Sequence, residues 1–188
     1  MNDKIVSSEK ERLILVDDAD NILGYETKGA CHDGDGILHR AFSLFIFNPK
    51  GDLLLQQRAA GKRLWPLIWS NSCCSHPREG ESYSFSTKRR LREELGLDTS
   101  LKFLYKFKYQ VRYSEAGSEN ELCSVYIGCT ADRPIVNKTE IADWKYVPVP
   151  VLEREMLQAP EKFSPWFKME WKEIRSHYMD DVKACLKI

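Results

Sequence analysis

The chain has 188 residues, 43% of them hydrophobic, which is enough to bury one sizeable core and excludes a disordered chain. Its 28 Lys and Arg residues balance its 28 Asp and Glu residues, so the overall charge provides no cationic surface for nucleic acid or an acidic membrane. We therefore expect a single domain over residues 1–188 with no nucleic-acid partner. An anionic ligand has to be held by a local group of cations.

The beginning of the chain and its cysteines bear on the cellular location. Residues 1–12 are charged and lack an apolar run, and no window approaches the ~20 apolar residues that span a bilayer. Six cysteines stand at positions 31, 73, 74, 123, 129 and 185, without the paired spacing of a zinc ribbon. We expect a cytoplasmic protein with reduced thiols and no membrane partner.

The first structural signals are those of a hairpin and a helix. Residues 41–48 are apolar and aromatic and predict a strand, residues 49–52 have turn chemistry, and residues 53–58 predict the returning strand. A charged helix is predicted over residues 83–95, and Gly96 is placed to end it.

Further strands and one more helix follow. Aromatic or apolar residues stand at every second position from 103 to 113, which predicts a half-buried strand. Residues 121–129 and 144–147 are also typical of strands, and a helical stretch is predicted from Pro165 toward Lys187. This mixture predicts an α+β or α/β fold with a mixed sheet.

Four charged side chains on the first helix have an unusual order. Arg89 and Glu93, like Arg90 and Glu94, are four residues apart and can pair on one helix face. A solvent-exposed row of ion pairs, each contributing about 0.2–0.5 kcal/mol, would explain the spacing. However, the cations precede the acids, whereas the helix dipole favours acids first. A role other than helix stability is therefore the competing interpretation for these four charges.

Residues 81–97 resemble the Nudix box, the loop and helix with which Nudix enzymes hold a metal ion against a diphosphate. The matching positions are Glu81, Arg89, Leu91, Glu93, Glu94, Gly96 and Leu97. Two positions depart, since Ser75 replaces the leading glycine and Arg90 replaces an acid. A Nudix hydrolase needs several carboxylates for its ions and its activated water, so Arg90 favours an enzyme that holds a diphosphate without cleaving it.

Adjacent thiols at Cys73 and Cys74 are followed by His76. Two buried cysteines acting as small hydrophobes are the commoner case, and a redox pair is disfavoured because neighbouring cysteines form a strained ring. Residues 71–77 nevertheless closely resemble the Asn-Ser-x-Cys-x-His-Pro motif of type I isopentenyl diphosphate isomerases. That motif carries the catalytic thiol and a metal-binding histidine, and Cys74 and His76 occupy those places. The resemblance continues through residues 119–121 and 163–166 and covers about residues 14–169.

Two acids stand on one side of a predicted strand. Glu119 and Glu121 are separated by one residue, and the same side continues through Cys123, Val125 and Ile127. Both acids are therefore expected to face inward, although a solvated strand edge is the alternative. Burying two carboxylates requires protonation, a cationic partner or a metal ion.

The resemblance to the isomerase family implies roles for particular side chains. The implied ligands of a divalent ion (Mn²⁺, Zn²⁺ or Mg²⁺) are His32, His39, His76, Glu119 and Glu121. Glu121 is also implied as an acid/base opposite Cys74, with Tyr109 hydrogen-bonded to it and the indole of Trp166 facing the cationic carbon. The implied diphosphate grip consists of Lys28, Arg58, Lys62 and Arg90, with Glu94 holding Mg²⁺ against the diphosphate. Each side chain also has a plain structural alternative, as a core residue or a solvated charge.

The resemblance also implies the fold and the activity. The expected fold is Nudix-like, with a central mixed sheet flanked by helices. The expected enzyme is a monomer that interconverts isopentenyl and dimethylallyl diphosphate in isoprenoid biosynthesis by protonation and deprotonation through a tertiary carbocation. A Nudix-type diphosphohydrolase is the first alternative, and a noncatalytic binding module whose His and Glu residues fasten loops through a metal ion is the second.

Overall fold

The computed structural model of the chain describes residues 4–186, and within them nine strands form one mixed sheet. In chain order the strands are β1 (Arg12–Val16), β2 (Ile22–Thr27), β3 (His39–Phe47), β4 (Leu53–Arg58), β5 (Trp69–Ser70), β6 (Cys73–Ser75), β7 (Leu101–Ser114), β8 (Gly117–Cys129) and β9 (Ile141–Val147). The helices are α1 (Lys28–His32), α2 (Tyr83–Leu95), α3 (Val149–Gln158), α4 (Pro165–His177) and α5 (Met179–Cys185), with a 3₁₀ turn at Pro160–Lys162. The prediction of a mixed sheet flanked by helices is confirmed.

Strand β3 lies at the centre of the sheet. It runs parallel to β8, from the pair His39/Glu121 to the pair Phe47/Cys129, and antiparallel to β1 and β6. The predicted hairpin of β3 and β4 is wrong in extent, because the two strands pair only at Phe47 and Leu53. Strand β6 occupies the edge of β3 beyond that point, so β4 pairs instead with β9 and β5.

The two faces of the sheet are covered by different helices. On β3, Phe45 and Phe47 belong to the core cluster that contains α4, and the Phe45 ring lies 5.9 Å from that of Phe167. The even-numbered side chains of β3, from Phe42 to Ile46, point to the other face and lie in a second cluster with Leu91 and Leu95 of α2. Full burial of such side chains contributes roughly 1.5–3 kcal/mol each. The sheet is therefore fixed between α4 and α2.

Helix α2 has the predicted bounds because both of its ends are capped. The Ser82 hydroxyl accepts a hydrogen bond from the backbone N–H of Phe85 at 3.2 Å. At the other end Gly96 has φ 64°, a left-handed conformation that favours glycine, and its N–H donates to the carbonyl of Arg92. The prediction of this helix and its stop is confirmed.

The C-terminal helical prediction needs one correction. Tyr178 leaves helical geometry (φ −125°, ψ 14°), so two helices, α4 and α5, replace the continuous one. The predicted end at Lys187 lies outside the described residues. The hairpin of β1 and β2 and helices α1 and α3 were not predicted at all. Between residues 4 and 186 the structure contains no helix of the length and apolarity needed to cross a membrane.

Candidate active site

Strand register brings the chemically important side chains into rows. Tyr109 on β7 pairs with Glu121 on β8, which pairs in turn with His39 on β3. Further along β3, Ser43 pairs with Cys74 on β6. Odd-numbered residues of β3 and β8 face α4, as the strand period of two requires. The rows therefore lie on one face of the sheet, although their members are distant in the sequence.

A buried group of imidazoles and carboxylates occupies this face. One ligand atom from each of five side chains lies within 4.8 Å of every other: His32, His39, His76, Glu119 and Glu121. All five side chains are buried or nearly so. Helix α1 supplies His32, and strands β3 and β8 supply His39 and the two acids. The fold therefore brings together all five residues predicted to bind the divalent ion of the histidine group.

The orientation of two imidazoles fits a cation. His32 and His39 each have Nδ1 at 2.7 Å from a backbone carbonyl oxygen, which can only accept, so Nδ1 carries the proton. The lone pair of His39 Nε2 then faces Glu121 at 3.7 Å. Nε2 of His32 lies 2.8 Å from Glu119; burial opposes a charge on His32, but attraction to Glu119 outweighs it and raises the His32 pKa. Neither His39 Nε2 nor Glu119 Oε2 has a hydrogen bond of good geometry within the described residues. Acceptors that face acceptors in a dry site suit a divalent ion.

The two acids of this group have opposite protonation tendencies. Burial and the neighbouring charge of Glu119 raise the pKa of Glu121 well above its usual range. Burial opposes the charge of Glu119 as well, but attraction to His32 outweighs it and lowers the Glu119 pKa to about 2. The Tyr109 hydroxyl donates to Glu121 Oε2 at 2.6 Å, and burial raises the pKa of this phenol well above normal. A pair of acids separated in this way suits acid/base chemistry.

The other two imidazoles of the group, His39 and His76, are neutral. Burial and the neighbouring His32 lower the pKa of His39 to about 4. Burial and the other two histidines lower the pKa of His76 well below its usual value, and its Nε2 lies 2.8 Å from Glu121 Oε1. Neutral imidazole is the form that binds metal ions.

The sulfur of Cys74 has a dense set of polar contacts. Its S–H donates to Asn71 Oδ1 at 2.7 Å, and the indole N–H of Trp166 donates to the sulfur at 3.3 Å. The Ser43 hydroxyl lies 3.6 Å from it. Burial and the charge of Glu170 raise the pKa of Cys74 to about 12, so the resting group is a thiol. The neighbouring Cys73 is fully buried in the cluster under α2.

A cavity of about 360 Å³ joins these groups. The predicted site residues that line it are Cys74, Tyr109, Glu121, Trp166, His32, His76, Glu119, Lys28, Arg58, Lys62 and Arg90. His39 and Glu94 are buried and lie behind the lining. The Trp166 ring stacks with Tyr109 at 6.4 Å and meets Trp65 edge-on at 5.2 Å, which encloses the thiol with aromatic surface.

Two of the four predicted phosphate-binding cations converge on one acid. Lys62 and Arg90 both bind the carboxylate of Glu140, Arg90 at 3.0 Å. Arg90 also binds Glu94 and is 3% exposed. The interpretation as an exposed row of ion pairs is therefore wrong for Arg90 and Glu94. Arg89, which binds Glu81 and Glu93, is only partly buried.

The other two cations are held by different contacts. Lys28 Nζ donates to the Ser7 hydroxyl at 2.7 Å and lies 3.6 Å from Glu9. Arg58 donates to the carbonyls of Leu64 and Trp65, and its guanidinium lies 5.3 Å from the centre of the Trp166 ring. The guanidinium thus connects the cationic part of the cavity with the aromatic part.

Comparison with known proteins agrees with this geometry. Residues 37–167 match the NUDIX domain model. Isopentenyl-diphosphate Delta-isomerase 1 of Photorhabdus laumondii subsp. laumondii is 41% identical over 174 residues, which are 92% of this chain and 99% of that protein. The chain belongs to the isopentenyl-diphosphate Delta-isomerase family. The isomerase of Serratia proteamaculans is 40% identical over 170 residues, covering 90% of this chain and 94% of that one.

A solved structure has the same fold. The crystal structure of DR0079 from Deinococcus radiodurans superposes with a TM-score of 0.65 at 23% identity, covering 79% of this chain and 90% of that one. At this identity the likeness concerns the fold alone. The prediction of a Nudix-like fold is confirmed.

Sequence reasoning missed several side chains of this isomerase-family site. Glu140 binds partners that are 78 and 50 residues away, so no local pattern indicates it. Asn71 stands in the recognised motif, but its role as acceptor for the thiol depends on the β5–β6 loop. Glu170 is the exception, because it lies one helical turn after Trp166 and could have been found from that spacing.

Proposed function

We propose that the chain is an isopentenyl-diphosphate Delta-isomerase that interconverts isopentenyl and dimethylallyl diphosphate in isoprenoid biosynthesis. The observation that carries the proposal is that the Cys74 thiol and the Glu121 carboxyl line one cavity together with the indole of Trp166. Identity of about 40% to curated isomerases over most of their length supports the same activity.

The reaction needs two acid/base groups that flank a hydrocarbon. Moving the double bond requires protonation at one carbon and deprotonation at a carbon two positions away. Glu121, with its hydrogen-bonded Tyr109, and Cys74 supply the two groups from opposite sides of the bound isoprene unit. Toward dimethylallyl diphosphate, protonated Glu121 donates its proton to the terminal carbon of the weakly basic alkene, and Cys74, as the thiolate, accepts the proton from the carbon two positions away. The Cys74 thiol releases its resting proton before this step, and after it a proton returns from Cys74 to Glu121 through solvent.

The intermediate is a tertiary carbocation, which has to be stabilised and kept from water. The Trp166 ring supplies a π face, and cation–π attraction is worth ~2 kcal/mol or more in a desolvated site. Trp166 packs against both Tyr109 and Trp65, and this aromatic surface excludes solvent from this part of the cavity.

The anionic part of the substrate is assigned to the cationic lining. Lys28, Arg58, Lys62 and Arg90 make charge-assisted hydrogen bonds to phosphate oxygens. Glu94 would hold a Mg²⁺ ion, which would supply positive charge to the diphosphate. Arg90, which contacts Glu94 in the structure, neutralises a further part of the phosphate charge. Because Arg90 replaces an acid of the Nudix box, the site holds the diphosphate instead of hydrolysing it.

The group of three histidines and two glutamates is assigned to a second divalent ion, Mn²⁺, Zn²⁺ or Mg²⁺. When bound, this ion supplies positive charge that fixes the carboxylates and compensates their burial. Tyr109 orients Glu121, and the backbone carbonyls that accept from His32 and His39 orient the imidazoles. We further assign the chain to the cytoplasm as a single-domain monomer, in agreement with the free thiols of Cys31, Cys73 and Cys74.

The test is an assay of the purified chain with isopentenyl diphosphate and Mg²⁺. We expect dimethylallyl diphosphate to form without release of phosphate. Phosphate release without isomerisation would support a Nudix diphosphohydrolase, and neither product would support a noncatalytic binding module. Hydrolysis is the weaker alternative, because it gives no role to Cys74 or Trp166.

A further inference from the structure

A buried acid lies behind the thiol and outside the cavity. Glu170 on α4 is fully buried, and it does not line the cavity. It follows Trp166 by one helical turn, so the two side chains share a face of α4. Its Oε2 has no hydrogen-bond partner within residues 4–186. An ionised carboxylate in this position would be costly, which requires an explanation.

Hydrogen bonds connect Glu170 with the catalytic sulfur. Cys123 Sγ donates to Glu170 Oε1 at 3.5 Å and lies 3.6 Å from the Ser43 hydroxyl. The same hydroxyl lies 3.6 Å from the sulfur of Cys74. The Ser43 hydroxyl is also within hydrogen-bonding reach of the Glu170 carboxyl. Ser43 therefore stands between the acid and the catalytic thiol, where a hydroxyl can accept from one neighbour and donate to the other.

We propose that Glu170 is a positioning residue, a neutral carboxylic acid that donates to the Ser43 hydroxyl and so directs the hydroxyl hydrogen toward the Cys74 sulfur. The inference rests on the proposed isomerase function. A hydrogen bond donated to sulfur stabilises the thiolate that forms when Cys74 gives up its proton. When Glu170 is ionised it accepts from Ser43 instead, so the sulfur keeps the indole N–H of Trp166 but loses the Ser43 donor, and it faces a second negative charge.

The surroundings keep the acid neutral at physiological pH. Burial raises the pKa of Glu170 to about 8, and hydrogen bonding from Ser43 and Cys123 only partly offsets the burial. The titratable groups around it are Cys74 on β6, Glu121 and Cys123 on β8, and Tyr105 on β7, whose hydroxyl donates to the Glu170 backbone carbonyl. Within the described part of the chain no Lys, Arg or His forms an ion pair with this carboxyl.

Three variants separate the role of the proton from packing. Glu170→Gln keeps a donor that cannot ionise, Glu170→Leu removes the donor, and Glu173→Gln changes an exposed acid on the same helix as a matched control. For the wild type we expect kcat to fall about tenfold as pH rises through 8, because ionisation of Glu170 removes the hydrogen bond from Ser43 to the Cys74 sulfur. Glu170→Gln should lack this decline, and Glu170→Leu should show a kcat about tenfold lower at pH 7 with KM little changed.

Infrared spectroscopy detects the proton on the Glu170 carboxyl directly, without an activity measurement. The difference spectrum of the wild type minus Glu170→Gln at pH 7 should contain the carbonyl band of a protonated carboxylic acid, which disappears above pH 8. The metal content of each variant is measured alongside, so that loss of the ion is recognised.

The outcomes distinguish this inference from the proposed function. The expected band together with the altered pH profile supports the role of Glu170. An active wild type without the band, or a Glu170→Gln variant with the wild-type decline, overturns the role of Glu170 alone. A wild type that forms no dimethylallyl diphosphate overturns the proposed function and this role together.

Discussion

Cys73 and Cys74 are adjacent in the chain, but their thiols lie on opposite faces of the sheet. Cys73 packs in the cluster under α2, whereas Cys74 contacts Trp166 of α4 and lines the cavity. The two belong to strand β6, in which successive side chains point to opposite sides. The strand therefore decides which of two neighbouring thiols can meet a substrate.

Substitution of each cysteine by alanine tests this assignment. Cys74→Ala removes an acid/base group and is expected to lower kcat by about 10²–10⁴-fold. Cys73→Ala serves as the adjacent control, with an expected stability loss of about 1 kcal/mol and a nearly normal kcat. Steady-state kinetics and urea unfolding measure the two effects. The reverse pattern would assign catalysis to Cys73 and contradict the assignment to Cys74.

Glu140 is expected to hold Lys62 and Arg90, the two cations proposed to bind phosphate, in the absence of substrate. In Glu140→Gln, Lys62 and Arg90 lose a buried counter-charge, and the free energy of unfolding should fall by about 3 kcal/mol. Pyrophosphate with Mg²⁺ should raise the Tm of this variant more than that of the wild type, because it replaces the missing charge.

A surface pair provides the control for Glu140. Glu155 pairs with Lys145 at 2.9 Å with both side chains more than a third exposed, so Glu155→Gln should cost less than about 1 kcal/mol. Equal losses in the two variants, without a difference in the response to pyrophosphate, would contradict the assignment of Glu140.

Among the histidines, metal binding is expected to depend on the buried ones and not on the exposed His177. Loss of an outer-shell partner typically costs 10–100-fold in metal affinity, so loss of a ligand in His39→Ala should cost at least about tenfold. His177 is exposed, contacts Glu173 at 3.0 Å and lies outside the group, so His177→Ala should bind metal normally. Elemental analysis after dialysis measures both, and equal metal contents would argue against the site.

The stability of the fold should depend on pH through Glu170. The unfolded chain releases this proton above its ordinary pKa of 4.5, whereas the folded chain keeps it until about 8. The unfolded state therefore binds fewer protons between these values, and the free energy of unfolding contributed by Glu170 falls as pH rises from 4.5 to 8. Glu170→Gln removes this contribution and should be relatively more stable than the wild type at pH 8 than at pH 5. Urea unfolding at the two pH values tests this.

Local signals in the sequence predicted local structure well. The Ser82 and Gly96 caps of α2 are short-range features, and the predicted helix has the observed bounds. The shared side of Glu119 and Glu121 follows from the strand period, and both are buried beside Cys123. The motif around Cys74 depended on resemblance, since spacing alone left the two thiols equivalent.

Long-range pairing could not be predicted from the same signals. The turn at residues 49–52 predicts a hairpin, but it cannot show that β6 occupies the edge of β3 and leaves β4 to β9. Glu140 likewise looks like an ordinary loop acid until the fold places Lys62 and Arg90 against it. What escaped prediction in both of these cases is a contact between segments that are distant in the sequence.

Transfer of hydrogen between solvent and substrate is the most direct test of catalysis by a thiol and a carboxyl across one cavity. The purified chain is incubated with isopentenyl diphosphate in deuterated water, and deuterium is located in the substrate and product by NMR. We predict deuterium at the allylic carbons of intact diphosphates for the wild type, and almost none for Cys74→Ala or Glu121→Gln. Wild-type exchange retained in both variants, or phosphate release in place of exchange, would contradict the account.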